Sequence, residues 1–140
     1  MKRALNIAAA VWLAVLLRLT VFRDGCFSHG LFSGQFEPDA FAFYLKLLRA
    51  GKWDYFLYLF GGNIIWFLPA GFMVRLWGGR LPQALLAGFL LSLVIETAQF
   101  VLGCGVSELD DLILNTLGAA IGYGVGCLTL KKLSPREKKE

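Results

Sequence analysis

Residues 85–130 are apolar almost without a break, yet they carry Glu96, Gln99, Asp110, Asp111 and Asn115. A helix on the surface of a soluble domain needs polar residues every few positions, whereas crossing a bilayer takes about 20 apolar residues. The stretch therefore demands two membrane helices. A charged side chain at membrane depth costs roughly 2.5–3.5 kcal/mol on insertion scales, so each acid needs a partner or a purpose. Composition extends the argument to the whole chain. Of 140 residues 57% are hydrophobic and 17% charged, where a soluble domain carries about a quarter charged. Residues 1–140 read as one polytopic membrane domain, with no room for a separate soluble one.

Four spans are expected, over about residues 4–22, 56–77, 81–102 and 109–130, followed by a charged tail over 131–140. The basic start and apolar residues 4–17 have the outline of a signal peptide. Arg18 and Leu19 stand where a small-x-small cleavage pattern would, so this segment is read as a retained first span. The longest polar connection, 23–54, is broken early by Gly25, Gly30, Ser33, Gly34 and Pro38. Asp39 is then placed to cap a short helix over 40–49, with Phe41, Leu45 and Leu48 on one face. Such a helix, followed by Trp53, Tyr55 and Tyr58, suits the membrane interface; a plain loop ending in an aromatic belt is the alternative. The fold class is all-α: an antiparallel bundle of four transmembrane helices, with a short interfacial helix in the first outer loop.

Lysine and arginine set the orientation. With the N-terminus inside, the inner segments hold Lys2, Arg3, Arg75, Arg80, Lys131, Lys132, Arg136, Lys138 and Lys139, nine against the four of Arg23, Lys46, Arg49 and Lys52 outside. The expected location is a bacterial cytoplasmic membrane, crossed several times, with both termini cytoplasmic. The net charge of +4 reflects this placement near span ends rather than a nucleic-acid surface, so no nucleic-acid partner is expected.

Helical rise puts the polar groups at one level. Arg18 falls about 6 Å below the outer end of its span, Asn63 about 10 Å, and Glu96 and Asn115 about 9 Å each. Ser92, Glu96 and Gln99 share one face of the third span, and Asp111, Asn115, Gly118 and Gly122 one face of the fourth. Gly118, Gly122 and Gly126 form a ridge where another helix, or a second copy of the chain, can approach closely. Glu96 and Asp111 are the candidate catalytic pair, crowded carboxylates of the kind that transfer protons. Arg18, Asn63, Gln99, Asp110 and Asn115 are the candidate binding residues, with Arg18 the cation available to the acids. Asp110 has a plainer reading as a solvated acid at a helix start.

Three cysteines without C-x-x-C spacing and a single His29 do not make a zinc site, and no metal or other cofactor is expected. Cys26 and Cys104 both fall in outer loops, where a disulfide is allowed. Cys127 reads as a small apolar helix residue.

Three blocks then carry a family likeness: NIIWFLPAG from Asn63 to Gly71, IETAQ from Ile95 to Gln99, and ELDDLILNTLG from Glu108 to Gly118, running on to Gly122 and Tyr123. In order and spacing the chain resembles the VanZ-like proteins, small bacterial membrane proteins named for an accessory glycopeptide-resistance factor. The resemblance implies a helical membrane bundle, a role in the cell envelope and, from the namesake, a link to teicoplanin susceptibility. It carries the family motif onto Asn63, Pro69, Glu96, Gln99, Asp110, Asp111, Asn115 and Gly118. One departure stands out: Gly105 occupies the place where the family often has an arginine before the acidic block.

Three functions fit this pattern. The cluster binds or acts on a membrane lipid or lipid-linked envelope precursor; or its acids form a proton or cation site in a transporter or channel; or the chain is a non-catalytic scaffold of an envelope complex. The topology has a direct check. After reduction, Cys104 should react with a membrane-impermeant maleimide added outside intact cells, and labelling only from the cytoplasmic side would invert the bundle.

Overall fold

In the computed structural model, residues 2–22 and 30–133 are described. Four long helices, α1 (Lys2–Thr20), α3 (Trp53–Leu76), α4 (Leu81–Leu102) and α5 (Leu109–Leu133), carry the bundle. Each is long and apolar enough to cross a membrane. The chain is an all-α membrane protein. Three small elements gather at one end: strand β1 (Gln35–Glu37), helix α2 (Ala42–Arg49) and strand β2 (Val106–Glu108). This is called the capped end below. The expected span limits hold closely, except that α3 begins three residues earlier and α5 runs three residues further than their apolar runs suggest.

The tightest pairing joins α3 to α5, and glycines make it possible. A Cβ on Gly118 would stand 2.3 Å from the Ile64 carbonyl oxygen, one on Gly122 1.9 Å from that of Leu68, and one on Gly71 1.7 Å from that of Ala119. Gly126 receives the Arg75 stem in the same way. Small residues let helix backbones touch where no hydrophobic gain separates helix from lipid. The ridge thus receives α3, the close approach of another helix backbone that its spacing leads one to expect. Helix α4 closes against α5 at Gly88, where an added Cβ would press the Ala119 methyl at 2.6 Å.

Helix α1 lies on the outside of this core. Leu16 is its one fully buried side chain, packing with Val21, Phe67 and Ile95. Two tryptophans pin it: Trp12 Nε1 donates to the Trp66 carbonyl (3.0 Å), and Trp77 Nε1 donates to Asn6 Oδ1 (3.1 Å). Pro69 has no N–H to offer the Ile65 carbonyl, so α3 is loosened in the turn where Trp12 attaches.

The capped end satisfies backbone groups that a membrane would leave stranded. Gly103 ends α4 in the left-handed conformation (φ 62°). Loop amides then reach the last α4 carbonyls: Phe32 N–H donates to Val101 (2.7 Å), Gly34 N–H to Phe100 (3.1 Å). The close approach requires Gly34, whose Cβ would sit 2.4 Å from the Phe100 Cα. Next, β1 pairs in parallel with β2, with Gln35, Phe36 and Glu37 opposite Val106, Ser107 and Glu108. No strand was expected in either segment; three-residue strands leave too short a pattern to read.

Helix α2 corrects two expectations. It starts at Ala42, and Asp39 makes no side-chain cap; Phe41 precedes the helix in the left-handed conformation (φ 63°). The Phe41 N–H instead lies toward the Asp110 carboxylate across the loop. The buried face is Tyr44 and Leu47, while Leu45 is exposed. Burying Tyr44 seats its ring edge-on against Phe56 and Phe60 (centroids 5.8 and 5.5 Å) and gives its hydroxyl a partner inside.

Gly122→Val forces a side chain into the Leu68 carbonyl, and its melting temperature in detergent should fall by about 5 °C or more. Gly124, where a Cβ meets nothing within 4 Å, is the control: Gly124→Ala should melt at the wild-type temperature or slightly above it.

Candidate functional site

Where α3, α4 and α5 meet below the cap, their polar side chains form one connected layer. Asn63 Nδ2 donates to Asp111 Oδ1 and lies 3.4 Å from the Tyr44 hydroxyl oxygen. Asn115, one turn below Asp111, donates through Nδ2 to Ser92 Oγ (2.9 Å), and Ser92 Oγ in turn approaches the Asp111 carbonyl (3.4 Å). Helix geometry explains the convergence. The Gly118–Ile64 contact places the residue beside Ile64, which is Asn63, against the turn of α5 that carries Asp111 and Asn115.

Glu96 and Gln99 extend the layer along α4. Glu96 Oε2 accepts from the Glu108 N–H (2.9 Å), fastening β2 over the end of α4. Gln99 Nε2 donates to the Thr20 carbonyl at the end of α1 (3.2 Å). Ser92, Glu96, Gln99, Asp110 and Asn115 are all buried. Among the described residues, Gln99 Oε1 and Asn115 Oδ1 are buried without a hydrogen-bond partner.

Arg18 is placed differently from expectation. Its guanidinium donates to the Phe22 carbonyl (2.6 Å), and the described hydrogen bonds of Glu96 and Asp111 go to Glu108 and Asn63 instead. The tie between α1 and the layer is the Thr20 carbonyl. A side chain in the last turn of a helix reaches the carbonyls that follow more readily than acids on another helix.

Asp110 has a structural use beyond that of a solvated helix-start acid. It is buried, and its carboxylate lies beside the backbone N–H groups of Phe41 and Asp111, between the start of α5 and the start of α2. Pro69 and the three ridge glycines lie in the α3–α5 contact, not in the layer.

Tyr44, Ser92 and Glu108 join the candidate residues only through the structure. Ser92 shares a helix face with Glu96 in the sequence, but its bond to Asn115 is tertiary. Tyr44 comes from a loop helix whose buried face its apolar pattern misplaces. Burial, then the charges of Asp111, Asp110 and Glu108, hold the Tyr44 phenol above its ordinary range, so it stays protonated. Burial, then Asp110 and Glu37, raise the Glu108 carboxyl.

Glu108, Asp110 and Asp111 can each bring a carboxylate oxygen within 4.8 Å of the others. Three hard oxygens at that spacing suit a divalent cation. Cys104 is disulfide-bonded and Cys127 is free; Cys26, the partner expected from sequence, lies outside the described residues.

A model of the VanZ/LLP1 family matches residues 7–130. The chain belongs to that family. No curated protein and no solved structure matches it. The match covers most of all four long helices and every residue of the polar layer.

The Glu108 carboxyl binds protons more tightly in the folded state than when unfolded. Stability linked to it is present at low pH and is lost as pH rises through the folded value. Glu108→Gln should therefore raise the melting temperature at neutral pH and flatten its decline above the ordinary carboxylate range. A melting profile with the wild-type pH slope would contradict this placement of Glu108.

Proposed function

We propose that this VanZ-family membrane protein binds an envelope component carried in the membrane, a lipid or lipid-linked precursor, through the layer built on Glu96, Asp111, Asn63, Gln99 and Asn115. The supporting observation is the convergence of buried and half-buried carboxylates and amides from three helices, with two buried acceptor atoms left without partners among the described residues. Interhelical hydrogen bonds in membranes are worth only about 0.6 kcal/mol on average, so stability is a thin reason to bury several acids at membrane depth. In this reading Asn63 and Asn115 orient the ligand, and Glu96 and Asp111 supply charge and, where chemistry occurs, a proton acceptor. The chain sits in a bacterial cytoplasmic membrane with both termini inside, which puts the layer in the outer leaflet facing envelope precursors. A bearing on glycopeptide susceptibility follows from that position.

A transport role has less support. Below the layer, α3 and α5 touch backbone to backbone along the glycines, and a single copy offers no polar path there.

Glu96→Gln and Asp111→Asn keep every described hydrogen bond to these side chains, since the amide oxygens still accept from Glu108 and Asn63. Both variants should accumulate in the membrane at wild-type levels. Both should also return teicoplanin susceptibility to that of cells lacking the protein. Unchanged susceptibility would refute the reading, and a parallel loss of protein would favour the scaffold role.

A further inference from the structure

Beside the polar layer, between α4 and α5, lies a cleft of about 410 Å³. Its walls are Leu93 and Phe100 of α4, Leu112 of α5 and Phe36 of β1. Leu93, Phe100 and Phe36 are exposed on the side of the bundle, so the cleft is open toward the surrounding lipid. Glu96 and Glu108 also line it, with the Thr97 and Ser107 hydroxyls beside them. The Thr97 hydroxyl already donates to the Leu93 carbonyl (2.7 Å), which leaves its oxygen as an acceptor. Glu96 commits one oxygen to the Glu108 N–H.

Charge decides what such a cleft can hold. The charges beside Glu96 and Glu108 are themselves acidic: each other, Asp110, Asp111 and, for Glu108, Glu37. No lysine or arginine forms an ion pair with these acids among the described residues. An aliphatic wall joined to an acceptor-rich, acidic head region fits an occupant that is apolar along its length and positively charged at one end. A phosphate head would meet like charge at close range, and an uncharged chain would leave the carboxylates without a counter-charge.

We infer that the α4–α5 cleft binds a cationic amphiphile, its chain along Leu93, Phe100 and Leu112 and its ammonium group between the Glu96 and Glu108 carboxylates. This rests on the envelope-ligand reading above and names the chemical class of the ligand. Phe36 roofs the head region, so the β1–β2 pairing holds the cleft in shape from the capped end.

The test uses the full chain in phosphatidylcholine nanodiscs at neutral pH, with dodecylamine, dodecyl phosphate and dodecanol as probes and empty nanodiscs as background. Dodecylamine should bind saturably, one per chain, and weaken as salt is raised. Glu108→Gln, which removes a head-group charge, and Leu112→Trp, which fills the cleft, should each weaken it by about tenfold or more. Melting temperatures report whether the variants fold, and Leu93→Phe provides a second filling variant from the α4 wall. If dodecyl phosphate binds as tightly as the amine, with or without added calcium, the cationic class is overturned while the envelope-ligand reading stands. Amine binding that neither charge removal nor filling disturbs would place it elsewhere and overturn the cleft. If no probe exceeds background, both the inference and the reading beneath it fall.

Discussion

The backbone contact between α3 and α5 is the constraint on which the rest depends. Two helices in lipid gain nothing from hiding hydrocarbon from hydrocarbon, so their association rests on close packing and on polar groups that prefer each other to the acyl chains. Gly71, Gly118 and Gly122 bring the two backbones together, and Asn63 then meets Asp111, about two turns up α5 from Gly118. Packing and polar layer are therefore one structure. A wider α3–α5 spacing would leave Asp111 in a low-dielectric setting without its amide donor.

The capped end solves a second problem created by the same environment. Helix α4 ends and α5 begins at neighbouring points, which would leave free carbonyls at one terminus and free N–H groups at the other. The loop from Phe32 to Gly34 brings amides to the α4 carbonyls, and the Asp110 carboxylate is buried beside the N–H groups at the start of α5. Glu96 completes the closure by holding β2. Acids that look misplaced in a hydrophobic run divide into two kinds here. Asp110 is buried at the start of α5 beside the Phe41 N–H. Glu96 holds the Glu108 N–H, and both acids also line a cleft open to lipid.

Much of this was legible without coordinates. Membrane-length apolar runs require spanning helices, because no other element satisfies its backbone inside a bilayer except a closed barrel. Helical periodicity then put Ser92, Glu96 and Gln99 on one face and Asp111, Asn115 and the glycines on another, and both faces turn inward, Asp111 half-buried and the others buried. The cap was not legible. Its strands are three residues long, its key glycines act through approach to a distant helix, and α2 buries Tyr44 against the trend of its apolar residues.

The sequence alone thus determined the number of long helices, their inward faces and the family, because hydrophobic length and helical spacing are properties of local chain. Tertiary structure alone decided the partners. Asp111 meets Asn63, the ridge glycines receive α3, and Asp110 is buried rather than facing solvent. Each of those choices depends on which helix faces which and how closely, and spacing along one helix carries no information about the distance to the next.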